Sequence, residues 1–423
     1  MRLETVRHRP ASGLWEIQSV RRTSRFLWTV EGHGLVLLTF MSFFPRWSHV
    51  AEYLFIGFLI GAGILIWVEG ESFLVRTPID VPLLLFAGWV LLSVPFATDP
   101  TYSFAEWRKL VMKILVFYWA VLLFKHERER NPLHGVLAAV VVGTATISLY
   151  ALADFLASGG SWRDRLVRAG APSSDYNWLS TYLIIAIPIL AVTACTARRQ
   201  WQRLATAGTL GLALVGQAVS YTRAGWLGLL VEVLTFGWLT RHRKLTTVLL
   251  AASVVLGMAF LAASKVGYHR ATVSAETWEY RVALWKKGAG EIIAYPVFGV
   301  GYGNDTYTKK YGGHPVTKDP TGLHNMFLMV ALGSGVPALI FLLWTLGAAG
   351  TSLVRRAREQ LSQGQGMLML GIAVMIAGFA VRNLFDYMFA GSLACLFWIL
   401  TAAGLQEVTY KEGLSAGQRR PNN

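Results

Sequence analysis

Apolar and polar positions alternate along this chain in long blocks: greasy runs separated by short charged stretches, from one end to the other. Apolar runs of about 17–25 residues are long enough to cross a bilayer as helices. They predict spans at about 30–45, 51–68, 79–97, 106–124, 133–157, 176–196, 204–221, 223–240, 246–264, 323–346, 367–387 and 389–405, about twelve in all. The first is weakened by Glu31 and His33, and only "SYTR" separates the seventh from the eighth. The runs are too long and too continuous for the alternating strands of a β-barrel. A lipid-exposed backbone must satisfy its own hydrogen bonds, which favours helices. The expectation is an all-α polytopic membrane protein.

Composition agrees, with 54% hydrophobic and 15% charged residues, a balance that excludes an ordinary soluble domain. Cys195 and Cys395 both fall in apolar runs, so no disulfide framework is implied. The first apolar run ends at "FMSFFPRW" without the small residues of a cleavable signal. Charge then orients the chain. Basic residues mark the cytoplasmic side. They crowd the N-terminal arm (Arg2, Arg7, Arg9, Arg21, Arg22, Arg25), the alternate loops "KHERER", "ARRQWQR", "RHRK" and "RRARE", and the tail "QRRPNN". An even span count puts all of these on one side, giving N-in and C-in.

The chain divides into an N-terminal arm (1–28), a first block of spans (29–264), one large outer loop (265–322), a last block of spans (323–405) and a tail (406–423). Residues 14–28 suit an amphipathic helix lying flat on the membrane. Within the loop, "SAETWEYRVALWKKGAGEIIAYP" reads as a helix capped by Ser274 and closed by Pro296. No internal repeat, separate soluble domain or nucleic-acid partner is expected.

The basic residues on the outer side run against the charge rule: Arg108, Lys109, Lys113, Arg223, Arg281, Lys286, Lys287 and Arg382. Ionisable groups at span ends are costly and need a reason. For Lys286 and Lys287 snorkelling is reason enough. Arg223, in the tight turn "SYTRAGW", has little room to escape, and a guanidinium there suits bidentate contact with a phosphate. Arg281 is flanked at helical spacing by Trp278 and Trp285. That pattern fits a helix lying aromatic face down on the membrane, or a structural cation–π contact. "PVFGVGYGN" reads as a turn whose amides are free to face an anion. His324 and Asn325 stand where the tenth span begins, with Thr321 and Gly322 as cap residues. The positive end of a helix and nearby arginines disfavour a second positive charge. A neutral imidazole can accept a proton; a histidine that only caps the helix is the plainer alternative. Asp386 follows Arg382 by one turn in "RNLFDYM", an ion pair or a group positioning a base or sugar. No metal-ligand cluster, D-x-D pair or cofactor motif is present, and none is expected.

Three stretches in order, "SYTRAGWLGLL", "YRVALWKKGAGEIIAYPVFGVGYGN" and "GLHNMFLMVALGSGVPALI", resemble the O-antigen ligase family of bacterial inner-membrane glycosyltransferases. "YTR" departs from the serine expected before the arginine. The resemblance implies a GT-C-like helical fold, an inner-membrane location with the active site on the periplasmic face, and a monomer without cofactors. It implies transfer of O-antigen from undecaprenyl diphosphate to lipid A–core, with metal-independent inversion. It casts His324 as base, Arg223 and Arg281 as diphosphate ligands, Arg108 and Lys109 as further phosphate contacts, and Asn325, Asp386 and Arg382 as secondary residues. O-antigen polymerases and protein O-oligosaccharyltransferases share the superfamily. A polysaccharide or lipid transporter is the alternative from another class, since basic residues in a helical bundle also suit anionic cargo.

Overall fold

The computed structural model describes residues 12–70, 75–126, 132–159, 169, 170, 172, 175–240, 247, 270–312, 322–360 and 366–418. Among these residues every regular element is helical. In chain order they are α1 (Ser12–Met41), α2 (Ser48–Glu69), α3 (Asp80–Ser93), α4 (Pro100–His126), α5 (Leu133–Ala157), α6 (Tyr176–Thr196), α7 (Gln200–Val219) and α8 (Arg223–Thr240). Then come α9 (Arg270–Ala294), the short α10 (Thr306–Tyr311), α11 (Met326–Gln360), α12 (Gly366–Arg382) and α13 (Gly391–Gln418). The all-α expectation holds. Four stretches are long and apolar enough to cross a membrane by length and composition: Pro45–Glu69, Leu133–Ala157, Tyr176–Thr196 and Met326–Gln360. Asp80–Phe96, Gly366–Arg382 and Gly391–Leu405 are apolar but shorter. The span expected at 246–264 lies, but for Thr247, outside the described residues.

Several boundaries differ from the apolar runs, because polar residues of good helix propensity extend a helix beyond its greasy part. Residues 14–28 are not a separate surface helix but the first half of α1. The tail after 405 likewise continues α13 to Gln418. In the outer loop, α9 begins at Arg270, so Ser274 lies inside it and does not cap it. At the other end α12 stops at Arg382, short of the expected 387. Asn383 explains the stop. Its side-chain amide donates to the Phe379 carbonyl (2.9 Å) and its carboxamide oxygen accepts from the Met388 amide (2.8 Å), which folds the chain into a turn.

The helices α6 and α12 are the centre of the bundle. α12 packs on α6, α8 and α11, and α6 also on α7. Every residue from Leu179 to Leu190 is buried. Glycines set the closest crossings: the Gly228 Cα of α8 lies so near α12 that a Cβ there would sit 3.1 Å from the Gly378 carbonyl. Glu31, which weakened the first apolar run, is buried in α1 and accepts a hydrogen bond from the Trp119 indole at 3.0 Å. A polar group inside an apolar bundle is tolerated when so paired.

The other break is in α11. Gly335 has φ 84° and ψ 171°, and Pro337 follows. A Cβ on Gly335 would lie 1.9 Å from the Val297 carbonyl oxygen. The glycine-rich turn after α9 fits into this break. Val300 and Gly301 amides donate to the Leu332 and Gly333 carbonyls (2.9 and 2.8 Å), and the Val336 amide donates to the Pro296 carbonyl (2.8 Å). These amides therefore serve the fold. The expectation that they face an anion is corrected: a broken helix exposes carbonyls that must find donors, and the turn supplies them.

Candidate functional site

The site is built where the segment before α11 meets the turn after α12. Leu323 is held on several sides: its carbonyl accepts from the Trp285 indole at 2.8 Å, its amide points at the Met329 sulfur at 3.2 Å, and its side chain packs on Gly288. Asn325 caps α11, its carboxamide oxygen accepting from the Leu328 amide at 3.0 Å, an N-cap bond of the usual kind. Thus Asn325, not Gly322, is the cap, and Thr321 lies outside the described residues. The next amide, Met326, is shared between the Asn383 and Asp386 carbonyls at 2.9 and 3.0 Å. Between these anchors His324 adopts φ 48°, the left-handed region. Such a conformation costs about 1–3 kcal/mol and persists only where the surroundings enforce it.

The imidazole Nδ1 lies 3.4 Å from Asp386 Oδ1. The Asp386 carboxylate is buried. It also accepts from its neighbour, the Tyr387 amide, at 3.0 Å, and faces Arg382 Nη2 at 3.5 Å. Burial alone raises its carboxyl, but the hydrogen bond from His324 and the charge of Arg382 outweigh burial and hold it below the ordinary carboxylate value. An ionised Asp386 accepts a hydrogen bond from Nδ1–H, so Nε2 keeps its lone pair and the ring is fixed in one orientation. Apo catalytic hydrogen bonds are often long and tighten with substrate.

Arg382 is 1% exposed. Besides Asp386 it donates to the Asn177 side-chain oxygen at 3.1 Å. Asn177 belongs to the first turn of α6, whose start is capped by Asp175 accepting from the Asn177 and Trp178 amides. Arg382 is thus buried, and its polar contacts tie Asp386 to the start of α6. Asn177, Asn383 and Tyr387 were not singled out in the sequence. Only "SSDYN", a capping signal, marks the first of them.

The structure brings Arg281 toward this group. It sits half-exposed on α9, one turn before Trp285, whose indole is bonded to Leu323 beside His324. The aromatic face of α9 is not all turned to lipid as expected, since the Trp285 indole is bonded to Leu323; the side chain of Trp278 lies outside the described residues. Arg223 is the first residue of α8 and exposed. It shares the same end of the bundle, because its neighbour Thr222 reaches the Tyr176 carbonyl at 3.4 Å, beside Asn177. Arg108 and Lys109 are further off, on α4. Arg108 lies over the Phe104 ring at 5.8 Å and Lys109 pairs with Glu106 at 2.6 Å. Neither touches His324 or Asp386 among the described contacts. The start of α4 is nonetheless bound to the segment after the glycine-rich turn, through the Asp305 backbone amide donating to the Tyr102 hydroxyl (2.9 Å) and Lys309 of α10 pairing with Asp99 (2.8 Å).

Chemically the arrangement is an oriented imidazole, an ionised carboxylate behind it, and exposed guanidinium groups around the same end of a helical bundle. It can take a proton from a hydroxyl and bind a multiply charged anion. Among the described residues no group of His, Cys, Asp and Glu is arranged to hold a metal ion. Residues 208–343 match the family model described as O-antigen ligase. The matched segment includes Arg223, Arg281 and His324 and ends before Arg382 and Asp386. No curated protein matches the chain.

Proposed function

We propose that the chain, whose residues 208–343 match the family model described as O-antigen ligase, belongs to that family and is an O-antigen ligase of the bacterial inner membrane. The donor is O-antigen on undecaprenyl diphosphate and the acceptor a sugar hydroxyl of lipid A–core. The observation that carries this reading is the His324–Asp386 pair at 3.4 Å, with Arg281 one turn from the Trp285 that holds the chain before His324. His324 Nε2 removes the acceptor proton as the hydroxyl oxygen attacks the anomeric carbon. The bond from that carbon to the phosphate oxygen breaks, and the electron pair leaves with undecaprenyl diphosphate. Arg223 and Arg281 hold the diphosphate and stabilise the charge that grows on it. One direct displacement inverts the anomeric centre. The active site faces the periplasm, and the basic arm, alternate loops and tail face the cytoplasm. About twelve spans and a working monomer complete the reading.

Purified protein given both lipids in excess EDTA, with no energy source, tests it. The expected products are a larger glycolipid and free undecaprenyl diphosphate. Chemically unchanged lipids point to a transporter. Growth of the lipid-linked chain itself, with lipid A–core untouched, points to a polymerase. Activity lost in EDTA and regained with Mg²⁺ overturns the assignment of charge stabilisation to the arginines alone.

A further inference from the structure

The turn after α9 lies deeper in the bundle than its place in an outer loop suggests. The Trp89 indole of α3 donates to the Val297 carbonyl at 3.2 Å and to the Ser334 carbonyl of α11 at 3.1 Å. Trp89 stands well inside the apolar stretch Asp80–Phe96, and Ser334 well inside α11, which starts at Met326. At 1.5 Å per residue, both lie about 10–12 Å below the outer ends of their elements. The Phe298 ring stacks on Trp89 and, with centroids 4.2 Å apart, on Phe96. Val297 is therefore level with the outer part of the apolar layer and not with the water above it.

The backbone of the turn is paired as that depth requires. The Tyr295 carbonyl accepts from the Gly299 amide (3.1 Å) and the Val300 carbonyl from the Thr98 amide (2.8 Å). The Pro296 and Val297 carbonyls and the Val300 and Gly301 amides are bonded to α11 and Trp89, and Pro296 has no amide. Irregular backbone is tolerated at membrane depth only when it is satisfied in this way.

The side chains divide between the faces of the helix. Leu284 and Ile292 pack inward, and Gly288 meets the Leu323 side chain. Glu291 and Tyr295 meet Lys310, which lies 3.2 Å from the carboxylate and 4.0 Å from the ring centre. Ile293 points away from that pair, since residues two apart on a helix do not share a face. It is 79% exposed, more than Ile60 (59%) or Ile64 (56%) of the sparsely buried α2. Val297 is exposed as well, and so is Phe96 against Phe298; on α3 the exposed apolar residues continue through Leu92 and Leu85. The patch thus runs without a break into the outer surface of α3. Lys286 is exposed on the same face two turns before Ile293, about 10 Å along the helix, where its stem lets the ammonium reach headgroup phosphates.

We propose that the end of α9 and the turn after it, residues 293–298, are seated in the bilayer leaflet on the outer-loop side, with Ile293 and Val297 among the acyl chains and Lys286 at the headgroups. The outer loop is then anchored in lipid at the end of α9. This rests on the reading of the chain as a membrane protein and not on its proposed activity.

The test uses the full chain with Cys195→Ser and Cys395→Ala, reconstituted into vesicles of phosphatidylethanolamine and phosphatidylglycerol. A nitroxide is attached after Ile293→Cys, Ile64→Cys or Glu279→Cys, one at a time; Glu279 is an exposed residue earlier on α9. Collisions are measured with oxygen, which concentrates among acyl chains, and with a water-soluble nickel chelate. The label at Ile293→Cys is expected to match that at Ile64→Cys, with a several-fold excess of oxygen collisions, and Glu279→Cys to give the reverse. Lipid-like collisions at Ile64→Cys with water-like ones at Ile293→Cys overturn the proposal and leave the membrane reading standing. Few collisions with either reagent at Ile293→Cys mean that protein covers the site, a second copy of the chain included, and overturn it too. Water-like collisions at Ile64→Cys overturn the membrane reading and the proposal together. A wild-type readout needs no substitution: a phosphatidylcholine with a photoreactive group on its acyl chain is expected to label residues 293–298 as well as α2. Labelling of α2 with none at 293–298 overturns the proposal.

Discussion

Two helix starts at one end of the bundle share an uncommon backbone. Tyr221 (φ 50°) and His324 (φ 48°) are the non-glycine residues with positive φ among those described, and each stands two residues before a helix, α8 at Arg223 and α11 at Met326. What enforces the strain differs. Tyr221 is 6% exposed, its ring lies 6.3 Å from that of Phe155 and its amide donates to the Ala218 carbonyl at 3.1 Å, so burial of its own side chain adds to the hydrogen bonds of the turn. The His324 side chain keeps 19% of its surface, and hydrogen bonds of its neighbours hold it: Trp285 on Leu323, Leu328 on Asn325, Asn383 and Asp386 on Met326. At the first start the strained residue is packing and the charged residue after it, Arg223, is presented. At the second the strained residue is itself presented, toward Asp386. Strain of the same kind thus serves two ends, and chemistry is to be sought where the strained side chain is not buried.

The contrast is broken most severely at His324. Asparagine tolerates the left-handed region, so His324→Asn is expected to melt like wild type while transfer falls by about 10²–10⁴-fold, the loss of a general base. Raised pH is expected to restore part of the rate. Normal turnover in that variant, or a melting temperature that falls with the activity, removes the base assignment.

Tyr221→Ala probes the other start. It opens a hole in the packing and is expected to cost about 3 kcal/mol of stability, read in a denaturation series, with donor affinity per folded molecule unchanged. A stable Tyr221→Ala protein shows that packing is not what enforces the turn.

Arg223→Lys is milder. The charge remains but the two-pronged geometry is lost, so donor affinity is expected to drop about 10-fold with no change in melting. Equal affinity means that charge alone suffices there.

The smallest effect concerns Asp386, whose carboxyl is held below its ordinary value in the fold. A group lowered in this way stabilises the fold fully above its unfolded value, and the stabilisation is lost as pH falls through the folded one. Wild type is therefore expected to melt above Asp386→Asn at neutral pH, and the gap to close in strong acid. A gap that persists unchanged below about pH 2 excludes the carboxylate's charge as the cause.

Helical class, most helix positions and the resemblance to the family whose model matches residues 208–343 were legible in the sequence, because apolar period and run length are local properties and the three motifs are contiguous. Arg223, Arg281 and His324 could be named for the same reason: each stands at a helix end or in an outer loop where a charge is out of keeping. The partners of these residues could not. His324 meets Asp386 across 62 positions and Arg382 meets Asn177 across 205, and no local pattern records which helix ends come together. The turn "PVFGVGYG" looked like an anion cradle until the break at Gly335 took its Val300 and Gly301 amides, and the Trp285 indole went to the Leu323 carbonyl. A backbone amide or an indole N–H bonds whatever acceptor the packing brings near. The sequence by itself determined that helices form and where unusual side chains stand on them; the crossing of α6, α8, α11 and α12 at close-set glycines decided which of those side chains meet.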